Sequence, residues 1–135
     1  MGSGGELLIE RLAGLLQDHL DLLSSIKTHI SYIRAGGGDR GELEGYISSL
    51  REIRASIHQG FEEALDLAFK GDIDVEDLAA LLVYYVESGV KDEGGLLEEV
   101  SEYIDVSGDI KDLESWVERV RPKIESLVGG VHGGR

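Results

Sequence analysis

From its eighth residue the chain sets Leu8, Leu12, Leu15, His19, Leu22, Ile26, His29 and Ile33 at alternating steps of four and three. That spacing is the seam of a packed α-helix, whose side chains return to one face about every 3.6 residues. A second seam runs beside it through Ile9, Ala13, Leu16, Leu20, Leu23, Lys27 and Ile30. Two adjacent seams make a face too wide for a single neighbour, so this helix must touch at least two others. A lone helix or a two-stranded coiled coil is thereby excluded.

The remaining segments extend the same pattern. Ser3 with Glu6 reads as a capping box at the start of the first helix, and the glycines of Ala35–Gly41 end it. Asp39 then caps a second helix reaching about Lys70, with its own seam at Leu43, Ile47, Leu50, Arg54, Ile57, Phe61, Ala64 and Ala68. The connection is short, so the two helices form an antiparallel hairpin over residues 6–70. Asp72-Ile-Asp74-Val-Glu76-Asp77 lacks the glycine of a calcium loop and reads instead as the acidic N-terminus of a third helix, about Val75 to Ser88. Its run Leu78–Val86 is apolar all round, which predicts a central position. Gly89 and Gly94-Gly95 predict a break, followed by a short helix over 96–104. Ser107 or Asp109 opens the last helix, with Ile110, Leu113, Val117, Val120, Ile124 and Leu127 at seam spacing. Pro122 predicts a kink or a split in it, and residues 129–135 a disordered tail. No stretch alternates with period two. The expected fold is all-α: a long antiparallel helical hairpin packed with about three shorter helices into a bundle, one domain over 1–128 with an acidic helical half at 71–128.

Charge narrows the function classes. Among 135 residues there are 27 acidic and 13 basic side chains, for a formal net charge of -14. Phosphate recognition relies on Lys and Arg, so nucleic acid is an unlikely partner for such a surface. Residues 1–70 carry 7 basic and 11 acidic groups, whereas residues 71–135 carry 6 and 16. The second half therefore presents a strongly negative surface that suits a basic protein partner. Cysteine is absent, which removes disulfides and thiolate chemistry. No apolar run is long enough to span a bilayer, and Met1–Glu6 lacks the basic and apolar regions of a secretory signal, so a cytoplasmic location without membrane contact is expected. The chain has no Asn, two Gln and a single Met. Depletion of these labile residues points to a thermophilic source, with a designed origin as the alternative.

Two constellations hold residue types that do chemistry. If the hairpin turns near residue 38 or 39, His19 lies opposite His58 and His29 falls near Ser48. A His19–His58 pair in one layer offers two imidazoles to a metal ion or a haem iron. The simpler reading is a set of partly buried histidines hydrogen-bonded to a carbonyl, a serine or a carboxylate. Arg51, Arg54 and His58 share one face of the second helix, and Arg54 interrupts its apolar seam. Arg51 and His58 enclose six residues, a spacing similar to the R-x4-6-H signature of HEPN-family ribonucleases. Those are small all-α domains of prokaryotic defence and toxin systems that act as dimers. The resemblance implies that Arg51 would bind phosphate and His58 would serve in acid–base cleavage of RNA. Without it, ion pairs to Glu44, Glu52 or Glu62 account for these arginines.

No phosphate-cradling glycine loop or nucleophile elbow occurs. The expected function is therefore a non-enzymatic helical interaction or assembly module with no cofactor. It is expected to form a homodimer through the double seam of the first helix and to engage a basic protein surface through the acidic half.

Overall fold

The computed structural model describes residues 3–133, and the side chains within 4–129. The chain is all-α: α1 (Ser3–Arg34), α2 (Arg40–Phe69), α3 (Val75–Tyr84), a π-helical turn (Tyr85–Gly89), α4 (Val90–Val100) and α5 (Ser107–Gly133). No strand occurs among the described residues. Helices α1 and α2 form the long antiparallel hairpin, and α3, α4 and α5 pack against it. None of these helices is long and apolar enough to cross a membrane among the described residues.

Local chemistry explains where the helices stop. Gly36 takes φ 88° just past α1, a left-handed conformation that costs a glycine nothing. Asp39 follows in an extended conformation, and its carboxylate accepts from the Gly41 and Glu42 N–H groups. His29 secures the same corner by donating from Nε2 to the Asp39 carbonyl at 2.8 Å, and its ring packs on Tyr46. Beyond α2, Gly71 takes φ 81° and the Asp72 N–H reaches back to the Leu67 carbonyl at 2.8 Å. Asp74 then caps α3 through the Asp77 N–H, as the acidic run there leads one to expect. The Ser3 capping role lies outside the described side chains.

Several expectations change in the second half. The glycines at 89, 94 and 95 do not break the chain: α3, the π turn and α4 run on without interruption from Val75 to Val100, and residues 101–104 form turns rather than helix. Each interior glycine costs about 1 kcal/mol relative to alanine. Burial of Leu96, Leu97 and Val100 offsets that cost. The apolar run of α3 does not lie in the middle of the domain. Leu78, Leu82 and Tyr85 face the core, while Ala80, Val83 and Tyr84 are exposed. Pro122 does not split α5, because it sits on an exposed position where the lost backbone bond falls toward water. Helix α5 also continues to Gly133, into the segment where a tail is expected; residues 134 and 135 lie outside the described residues.

The core has two parts. At one end Leu8, Leu12 and Leu16 of α1 meet Ile57, Phe61 and Leu65 of α2, Leu78 and Leu82 of α3, and Trp116 and Val120 of α5. At the other end Leu23, Ile26 and Ile30 meet Leu43, Ile47, Leu50, Leu97, Val100 and Leu113. Of the second seam of α1, Leu16, Leu23 and Ile30 are thus covered within the chain, whereas Ala13, Leu20 and Lys27 are exposed. Gly60 lets α1 approach α2 closely, since a Cβ there would meet Leu12 Cδ2 at 2.7 Å. Between the two apolar clusters lies a layer of polar side chains.

Candidate functional site

Four helices supply that layer, and His19 and Arg54 do so where an apolar seam is interrupted. His19 comes from α1, Arg54 and His58 from α2, Glu93 from α4 and Asp109 from the first turn of α5, and all five are buried. Glu93 is wholly inaccessible to solvent. It accepts from His19 Nε2 through Oε1 and from Arg54 Nε through Oε2, each at 2.8 Å. Arg54 donates further to Asp109 Oδ1 at 2.6 Å and to Asp112 Oδ2 at 3.1 Å. Arg51 grips Asp109 from outside with two parallel bonds of 2.9 Å, the fork geometry in which guanidinium and carboxylate match best.

The π turn makes this possible. Residues eight apart on an ideal α-helix lie roughly 80° apart around the axis. The wider turn at Tyr85–Gly89 absorbs an extra residue, so Tyr85 and Glu93 both face inward. Gly89 is required inside it, because a Cβ there would meet Tyr85 Cδ1 at 2.7 Å. The Tyr85 ring contacts both histidine rings at centroid distances of 5.8 Å for His19 and 5.7 Å for His58. His58 stacks on Trp116 at 4.0 Å, and its Nε2 hydrogen-bonds the Tyr85 hydroxyl at 2.9 Å.

Burial and neighbouring charge act together on Arg54, Asp109, His58 and Tyr85. Burial works against the Arg54 charge, but Asp109, Glu93 and Asp112 outweigh it and hold the guanidinium's pKa above its ordinary value. Burial likewise disfavours the Asp109 carboxylate, and Arg51 and Arg54 more than compensate, keeping its pKa below the usual range. For His58 burial prevails and pushes the imidazole down to about 4, against the pull of Asp112 and Glu62. The Tyr85 phenol is raised, again first by burial. Among the described residues, no buried side-chain nitrogen or oxygen lacks a hydrogen-bond partner. The arrangement ties α1, α2, α4 and α5 together through these side chains.

The sequence-derived candidates fall at different places in this layer. Arg51 is half-exposed and committed to Asp109, an acid of α5, rather than to Glu44, Glu52 or Glu62. His58 points into the aromatic cluster and is absent from the cavity of about 520 Å³ that Arg51, Arg54, Asp105, Gly108, Asp109 and Asp112 line. His19 and His58 share a layer, with Tyr85 in contact with both. Among the described residues, no group of three or more His, Asp or Glu side chains is arranged to hold a metal ion. Glu93, Asp109, Tyr85 and Trp116 complete the layer without having been singled out by sequence. Arg54 breaking an apolar seam was the one available signal that buried acids had to exist elsewhere.

The outer face of the acidic half offers a different kind of site. A groove of about 650 Å³ runs between the π turn with α4 on one side and α5 on the other. Val86, Val90, Ile110, Leu113 and Val117 give it an apolar floor. Glu87, Glu98, Glu114 and Glu118 stand along its rim together with Lys91 and Arg121, and Lys91 pairs with Glu87 at 3.4 Å. A larger hollow at the opposite end of the hairpin, about 1210 Å³, is lined by Glu6, Glu10, Glu63, Asp72, Asp74 and Asp77 with Ile9, Leu67 and Ile73.

Compared with protein-family models, curated proteins and solved structures, the chain matches none of them.

Proposed function

We propose that this chain is a non-enzymatic helical interaction module whose acidic half engages a basic protein surface. One contrast carries the reading: the ionisable groups of the buried layer are paired with one another, whereas the carboxylates of the π turn, α4 and α5 stand exposed around partly buried apolar side chains. A catalytic site needs a reactive group in reach of substrate, and a docking surface needs exposed apolar area bordered by charge that selects the partner. The second description fits Val83, Tyr84 and the groove residues better than the first fits the polar layer.

Self-association would use a separate surface. The apolar positions left open on α1 and α3, Leu20, Val83 and Tyr84, would be its contacts. The -14 net charge opposes bringing two acidic halves together and favours a cationic partner.

Proximity labelling in cells of the source, with the chain fused to a promiscuous biotin ligase, tests the reading. The wild type should enrich proteins bearing basic surfaces, and a variant carrying Glu87→Gln, Glu98→Gln, Glu114→Gln and Glu118→Gln should lose them. Identical labelling by wild type and variant, or a clean monomer by light scattering with no partner labelled, would refute it.

A further inference from the structure

We infer that the groove between α4 and α5 is the docking site for a basic amphipathic helix of a partner protein. The inference rests on the interaction reading above and adds the place and the form of the ligand.

Shape is the first argument. The lining residues of α5 run from Ile110 to Arg121. At about 1.5 Å per residue that is roughly 16 Å, the length of three helical turns. The partly buried Ile110 and Val117 on α5, with Leu113 beneath them, and Val86 and Val90 on the other side give the groove its apolar floor. An occupant presenting apolar side chains at steps of three and four residues would cover it, as amphipathic helices do when they lie in a groove.

Charge supplies the second argument and selects the occupant. Four carboxylates against two cations leave the rim negative: Lys91 and Glu87 cancel each other at 3.4 Å, and Glu98, Glu114 and Glu118 stand against Arg121 alone. A helix with Lys or Arg flanking its apolar stripe would meet opposite charge on both edges. A second copy of this chain would bring acid to acid, and an anionic lipid or nucleic-acid surface would be repelled.

The glycine pair in the wall favours the same occupant. Gly94 and Gly95 lie within α4, away from positive φ, and a Cβ at either would meet nothing within 4 Å. Neither the backbone nor the packing of this chain asks for glycine there, although each one weakens the helix. Their effect is to lower one wall of the groove, where an incoming backbone gains closer approach.

The test uses the full chain and a synthetic probe, a fluorescent fourteen-residue helix with leucine at every third and fourth position and lysine elsewhere. Two controls accompany it: the same composition with the apolar stripe scrambled, and the same pattern with glutamate for lysine. Anisotropy titration should show the probe bound at least tenfold more tightly than either control. Gly94→Gln with Gly95→Gln fills the groove with good helix formers, so this variant should melt higher than the wild type yet bind the probe at least tenfold more weakly. Equal binding of the scrambled control, or unchanged binding by the glutamine pair, would overturn the inference. So would a wild-type dimer that the glutamine pair converts to monomer, which would identify a second copy as the occupant. Partner labelling lost in the rim-acid variant but kept in the glutamine pair would overturn the groove alone and leave the interaction role standing.

Discussion

Arg54 and Glu93 lie 39 residues apart in the chain and meet at 2.8 Å with both side chains buried, one on α2 and the other on α4. The pair sits where the two apolar clusters abut, with Ile53 and Val90 packed against both. A buried ion pair is a weak source of stability, since removing two charges from water costs nearly what their attraction returns. Its effect is to fix register. Apolar seams of one period allow more than one alignment in principle, and only one alignment gives Glu93, Asp109 and Arg54 their partners.

Arg54→Met is therefore expected to be severe. It leaves Glu93 and Asp109 without their shared counter-charge, and breaking a buried pair in this way costs about 3–5 kcal/mol. Urea denaturation read by circular dichroism checks the figure. A loss below about 1 kcal/mol would mean that the layer is wet and its charges screened.

Two alanine substitutions on the same continuous helix should have opposite signs. Gly89→Ala sets a methyl group against the Tyr85 ring inside the π turn, and overpacking of this kind costs about 1–3 kcal/mol. Gly94→Ala meets open space and should stabilise the helix by up to about 1 kcal/mol. Thermal melts of the two variants decide the matter; a shift in the same direction for both would show that the π turn does not confine Tyr85.

The contrast between those glycines shows what was legible beforehand. The hairpin was readable because both seams keep one period across about thirty residues and the loop glycine marks their end. Helix α4 was not, because local propensity argues for a break at Gly89, Gly94 and Gly95, and only the burial of Leu96, Leu97 and Val100 against other helices overrides it. The same limit hid the polar layer. Arg54 and His19 stand out within their seams, but Glu93 is separated from Tyr85 by a π turn that no periodicity announces, and Asp109 resembles an ordinary acidic residue at a helix start.

His58 gives the protein a pH dependence with a definite sign. Its imidazole titrates at about 4 in the folded chain against an ordinary 6.5, first because it is buried; Asp112 and Glu62 pull the other way, and Arg54 and Arg119 add to the lowering. Above pH 6.5 the imidazole is neutral in both states and its stabilising packing is fully present. As pH falls toward 4 the unfolded chain takes up a proton that the folded chain refuses, so stability is lost across that window. Between pH 7 and pH 5 the loss from this group should be about 2 kcal/mol. His58→Gln, which can keep a hydrogen bond to Tyr85, should lessen the loss by about that amount in paired denaturation curves. Equal pH dependence of the two proteins would show that His58 is solvated.

Backbone amide shifts mapped by NMR in the presence of the lysine–leucine helix test the docking account most directly. Shifts are predicted to concentrate on Val86–Glu98 and Ile110–Arg121, with the outer faces of α1 and α2 unchanged, and to vanish in the Gly94→Gln, Gly95→Gln protein. Shifts scattered evenly over every acidic surface, or centred on the hollow around Glu6, Glu63 and Asp74, would contradict it.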